Sequence, residues 1–172
     1  MPIIGSMMKQ TSKQILTMLA FVLPLLGMVF AAIPAARAQS VVTLVVTDPL
    51  TGVAIYGWDP VSYFTEPEPL AGRGDFELIW QEVPWHFASA ANRDIFARAP
   101  EIYAPQFGGH GAMGIARGYV SDSDPRLYTV FKQRLYLFYS AGAREAFLLA
   151  PDAAALAAEA NWPALSASLS TR

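Results

Sequence analysis

The sequence predicts one small α+β domain of two related β-hairpin-plus-helix units, with extra N-terminal strands and a C-terminal helix. Three observations predict it. Residues 85–100 (WHFASAANRDIFARAP) and 136–151 (YLFYSAGAREAFLLAP) align without a gap: Phe87, Ser89, Ala90, Arg93, Phe96 and Pro100 fall on Phe138, Ser140, Ala141, Arg144, Phe147 and Pro151. An aromatic stretch and a short polar turn precede each segment. An isolated hairpin is marginal in water, so the two units are expected to pack on each other. Two independently capped helices can also share this many residues, and that alternative stays open.

The elements follow in order. Lys9 and Lys13 precede an uncharged run over residues 14–36, closed by Ala36-Arg37-Ala38. A positive flank, an apolar core and a small-x-small site make residues 1–38 a secretory signal peptide, with cleavage between Ala38 and Gln39. The rival reading is a retained membrane anchor, since residues 15–34 nearly reach bilayer length; Pro24, Gly27 and Pro34 interrupt that run. Export implies a bacterial periplasm or the cell exterior, with membrane contact only through the leader. Residues 41–46 alternate as an edge strand, and Thr51-Gly52 turns the chain. Residues 76–80 and 128–131 read as strands, followed by turns at 81–84 and 132–134. Ser89 and Ser140 stand where a hydroxyl would cap a helix. Pro100 and Pro151 end those helices and can open new ones. Asn161-Trp162-Pro163 ends the last helix with Trp162 docked on the core. Residues 39–165 thus form the domain and 166–172 a frayed tail.

Composition narrows the chemistry. The chain has 172 residues, 12 basic and 14 acidic side chains and no cysteine. Loss of Lys9, Lys13 and Arg37 with the leader makes the remainder more acidic still, which leaves no basic face for nucleic acid. Without thiols there is no disulfide, although the compartment permits one, and no iron-sulfur cluster or thiolate zinc site.

Between the two units lies GGHGAMG, residues 108–114, which contains GxGxxG. A dinucleotide cradle needs a parallel strand before those glycines, a helix after them and an acid about 20 residues on. Here Ala104-Pro105-Gln106-Phe107 precede, no helical pattern follows at once, and residue 132 is a lysine. No nucleotide is expected. The glycines instead suit positive φ and close backbone approach.

The motifs GWDPVSYF, WHFASAANRDIF, PEIYAPQFGGH and ANWPAL, in that order over residues 57–165, resemble the exported YHS domain proteins. The wider YHS group includes modules associated with heavy metals through cysteines. Ser62 stands near the first such position, and Ala88 and Asn92 near the others, so the resemblance implies a scheme whose every thiolate is missing. Members of the exported type show GGYCAYG, with cysteine or selenocysteine. His110 matches the first tyrosine, Gly111 the cysteine and Met113 the second tyrosine. Redox enzyme activity, implied by analogy alone, loses its reactive group.

The candidate site residues are Asp59, Tyr63, Gly109, His110, Gly111 and Met113. His110, in the connection between the units, suits proton transfer or metal ligation at its near-neutral pKa; it also fits a loop histidine bonded to a carbonyl. His86 alternates with Trp85 and Phe87 and faces away from them, as a ligand or as a half-exposed strand residue. Met113 with His110 and His86 would give nitrogen and sulfur donors for copper or another transition metal. Asp59-Pro60 marks a turn, or else Asp59 and Tyr63 line a cleft with the glycine loop. Arg93 and Arg144 fit packing or ion pairs better than substrate binding. No serine sits in an elbow motif. The expected function is an exported binding module for a metal ion or small ligand near residues 108–114. The alternative is a non-catalytic structural or protein-interaction domain that has lost the family's thiol chemistry.

Overall fold

Two-residue turns with both φ angles positive close both hairpins: Gln81 and Glu82 at 50° and 65°, Lys132 and Gln133 at 50° and 60°. This is the backbone hand that matches the right-handed twist of paired strands. The computed structural model describes residues 44–170, the side chain of Ser170 excepted. The leader and its cleavage site lie outside the described residues. Among the described residues no helix is long and apolar enough to cross a membrane.

Strands β1 (Arg73–Trp80) and β2 (Val83–Phe87) form one antiparallel pair, β3 (Asp124–Phe131) and β4 (Arg134–Phe138) the other. The turns are shorter than expected, because Val83, Pro84 and Arg134 pair within the strands. The helices are α1 (Ser62–Thr65), α2 (Ala90–Arg98), α3 (Pro100–Tyr103), α4 (Ala112–Ala116), α5 (Ala141–Leu149) and α6 (Pro151–Ser170), with 3-10 turns at Ile55–Gly57 and Gln106–Gly109. The architecture is α+β, as the repeat predicts.

The two units agree in detail. Registers correspond residue for residue, Arg73 opposite Phe87 and Asp124 opposite Phe138, each followed by the same irregularity. Ser89 and Ser140 hold nearly identical φ/ψ and each accepts a bond from the amide three residues on, Asn92 at 3.1 Å and Ala143 at 3.2 Å. The likeness also runs upstream of the part visible in sequence. Ile55, Tyr56 and Gly57 have φ of 42°, 56° and 78°; Phe107, Gly108 and Gly109 have 58°, 62° and 85°. An extended residue follows each run, Trp58 and His110, and then α1 or α4.

Two apolar clusters result. One gathers Ile55, Val61, Tyr63, Trp85, Phe87 and Phe96 with Leu135 and Leu137. The other gathers Phe107, Ile115, Tyr136, Phe138, Phe147 and Ala158. Because side chains alternate along a strand, β4 sends Leu135 and Leu137 to one cluster and Tyr136 and Phe138 to the other.

Three expectations change. The edge strand over 41–46 does not form in its described part: Val46 donates to the Gly108 carbonyl and accepts from Ile55, and Thr47 makes a single bridge to Ala54. Its bonds go to separate segments, so no ladder propagates. The last helix does not end at Pro163 but runs to Ser170, and the frayed tail expected from residue 166 is helical to that point. Trp162 and Leu165 pack on the second cluster and Leu169 is buried, a tertiary gain that outweighs the one bond an exposed proline removes. Trp162 docks as expected, its ring centroid 5.8 Å from that of Phe107.

Candidate functional site

Asp59 is completely buried, and both its oxygens are engaged. Oδ1 accepts from the Val61 amide at 2.8 Å and, longer, from Ser62 at 3.4 Å, which is the aspartate-proline turn expected of this pair. Oδ2 reaches across to the other end of the unit, accepting from the Ala88 amide at 2.8 Å and from Asn92 Nδ2 at 2.6 Å. Ser62 Oγ donates to the Asp59 carbonyl at 2.7 Å and accepts from the Leu70 amide at 2.8 Å. Ser62, Ala88 and Asn92 therefore converge on one carboxylate that clamps α1 to the start of α2.

Tyr63 is also internal. Its hydroxyl donates to the Pro125 carbonyl at 2.8 Å, its ring meets Tyr128 edge-on at 4.9 Å, and burial raises its pKa. Neither Asp59 nor Tyr63 borders the open cleft described below.

The side chain of His110 is internal. It is buried where the second 3-10 turn ends, its amide bonded to the Phe107 carbonyl at 3.1 Å and its ring 5.9 Å from Trp162. His86 lies on the outer face of β2, opposite Trp85 and Phe87, with Nε2 3.1 Å from Glu77 Oε2. Of the copper set, His86 sits beside Glu77 in the first hairpin, His110 beside Trp162, and Met113 packs against the second cluster. Among the described residues no group of three or more histidine, cysteine, aspartate or glutamate side chains could hold a metal ion. Arg93 and Arg144 pair with the neighbouring Asp94 and Glu145.

The glycines of residues 108–114 divide by cause. Gly108 and Gly109 need positive φ, and a Cβ on Gly108 would stand 1.8 Å from the Leu44 carbonyl oxygen. Gly111 has an ordinary φ of −59°; here contact is the constraint, since a Cβ would meet Ser121 Oγ at 2.5 Å, and one on Gly114 would meet it at 2.7 Å. Helix α4 starts directly after Gly111, where the sequence showed no helical pattern. Gly108 and Gly109 lie inside a 3-10 turn that follows helix α3, so the strand-glycine-helix order of a dinucleotide cradle is not the arrangement here.

Beside this loop opens a cleft of about 390 Å³, bordered by Gly111, Met113, Arg117, Tyr119, Tyr139 and Gly142. Tyr119 and Tyr139 are 50% and 69% exposed. The other lysines and arginines among the described residues hold acids, whereas Arg117 and Arg98 make no ion pair there. Of the residues proposed from sequence, Gly111 and Met113 line this cleft. Arg117, Tyr119, Ser121 and Tyr139 were missed: they come from two segments, residues 117–121 and Tyr139, that only the folded hairpin brings together. A larger cleft of about 640 Å³ runs between Trp80, Trp85, Phe107 and Trp162. Compared with known proteins, the chain matches no family model, no curated protein and no solved structure.

Proposed function

We propose that the chain is an exported binding module of the YHS type that takes a small ligand in the cleft beside Gly111. What supports this is one observation: an open concavity at the glycine loop, walled by two exposed tyrosine rings and by an arginine that pairs with no acid among the described residues. Such a mixture of apolar surface and a few convergent polar groups is what small-molecule sites offer. The metal form of the reading is weaker, because its donors sit beside Glu77 and Trp162 in different parts of the chain.

The test is a fragment screen on the exported chain, read by amide chemical shifts. Binding fragments should move Gly111, Met113, Tyr139 and Gly142. A Cβ on Gly142 would meet nothing within 4 Å, so Gly142→Trp can overhang the cleft without strain and should abolish those shifts. Fragments that move no cleft amide would refute the reading and favour the protein-interaction alternative. Copper(II) titration run alongside, with His110→Ala and His86→Ala, separates the metal form.

A further inference from the structure

The internal duplication carries information about the ligand, because the first unit holds a carboxylate where the second unit has only the Ser121 hydroxyl nearby. Asp59 and Gly111 are equivalent positions. Each follows the extended residue that ends a run of three positive φ angles. The Asp59 amide donates to the Leu70 carbonyl at 2.9 Å and the Gly111 amide to the Ser121 carbonyl at 3.0 Å. The Asp59 carbonyl accepts from Ser62 and the Gly111 carbonyl from Gly114. On the facing element, Ala88 and Asn92 correspond to Tyr139 and Ala143, at the same offsets from the capping serines.

The comparison explains how the cleft arises. Asp59, Ser62 and Asn92 fill the first unit with hydrogen-bonding side chains; Gly111, Gly114 and Ala143 stand in their places, and all three border the cleft. The donors remain after the acceptor is gone. Val61 and Ala88 give their amides to the Asp59 carboxylate, while the equivalent amides of Met113 and Tyr139 have no acceptor among the described residues. The Tyr139 nitrogen lies 3.4 Å from where a side chain on Gly111 would begin. Ser121 Oγ reaches into that same space and makes no hydrogen bond among the described residues. Arg117 adds a cation at the rim.

We infer that the cleft binds a small carboxylate-bearing ligand, whose carboxylate takes the position that the Asp59 side chain occupies in the first unit. The Met113 and Tyr139 amides and the Ser121 hydroxyl donate to its oxygens, since charged acceptors make the stronger hydrogen bonds. Arg117 compensates the charge, and the rings of Tyr119 and Tyr139 flank the body of the molecule. This rests on the binding-module reading and specifies its ligand class.

The test compares benzoate with benzamide, which share a shape and differ in charge, on the full exported chain by amide shifts. Benzoate should move the Met113 and Tyr139 amides and bind at least about tenfold more tightly than benzamide, a difference that Arg117→Gln should reduce. The variant Gly111→Asp combined with Ser121→Ala supplies the missing carboxylate from the chain itself and should abolish benzoate binding. Should that variant not fold, the benzoate and benzamide comparison on the unaltered chain still decides. Equal binding of the two probes, or cleft shifts from neutral fragments alone, would overturn the carboxylate inference and leave the binding-module reading intact. A cleft that no fragment enters would remove both.

Discussion

Replacing Asp59 by alanine should be among the most damaging single changes in the chain. The carboxylate accepts three close bonds, from Val61, Ala88 and Asn92, at 2.8, 2.8 and 2.6 Å. A buried donor deprived of its partner costs about 1–3 kcal/mol. The Val61 and Ala88 amides are fixed by the backbone and cannot turn away, whereas the Asn92 side chain can partly rehydrate, so a total loss of about 3–5 kcal/mol is expected. That is a large part of the 5–15 kcal/mol that is typical for a whole domain. In urea, with a slope of about 2 kcal/mol per molar, the midpoint should fall by about 2 M. Asp59→Asn keeps the shape but points an amide group at donors, and should lose about half as much. Asp94→Ala, which removes only a pair between adjacent surface side chains, should stay within about 0.5 kcal/mol. A loss below about 1 kcal/mol for Asp59→Ala would refute the clamp, and with it the use of the first unit as a template for the second.

Three further predictions concern the repeat and its turns. Ser89→Ala and Ser140→Ala should each cost about 1 kcal/mol by thermal denaturation, and their effects should add in the double variant because the two caps share no partner. Gly118 and Gly109 have the same φ of 85°, but a Cβ meets nothing within 4 Å at Gly118 and Ile55 Cγ2 at 3.1 Å at Gly109; alanine should cost about 1–2 kcal/mol at the first, the conformational part alone, and measurably more at the second. The Tyr56 hydroxyl donates to Asp122 Oδ2 at 2.7 Å, which pushes its pKa up from 10.0 to about 12. The fold therefore favours the protonated phenol: the contribution is complete below pH 10 and lost as pH rises through 12. An ultraviolet titration should show a component near pH 12 that Tyr56→Phe removes.

Local signals made much of the fold legible. Ser89 and Ser140 cap, and Pro100 and Pro151 open helices, because these effects act within one turn of chain. Alternation correctly set His86 opposite Trp85 and Phe87. Tertiary packing hid the rest. Nothing local foretells that Trp162 and Leu165 keep α6 helical through Pro163, or that Phe107 and Tyr56 accept positive φ without being glycine. The upstream half of the duplication escaped notice for the same reason: Ile55-Tyr56-Gly57 and Phe107-Gly108-Gly109 share backbone shape but only a glycine at the third position. At the site, Gly111 and Met113 are among the candidates the sequence offers, whereas Asp59-Pro60 reads most simply as a turn. Asp59 is a turn and more, since the partners of its Oδ2 lie about thirty residues away.

The position of β4 bears on how the molecule can come apart. Leu135 and Leu137 belong to the second hairpin yet complete the apolar cluster of the first, and the Tyr63 hydroxyl reaches over to the Pro125 carbonyl. Severing the polypeptide between its halves would strip each fragment of a wall supplied by the other. The two copies, alike as they are, melt together or not at all.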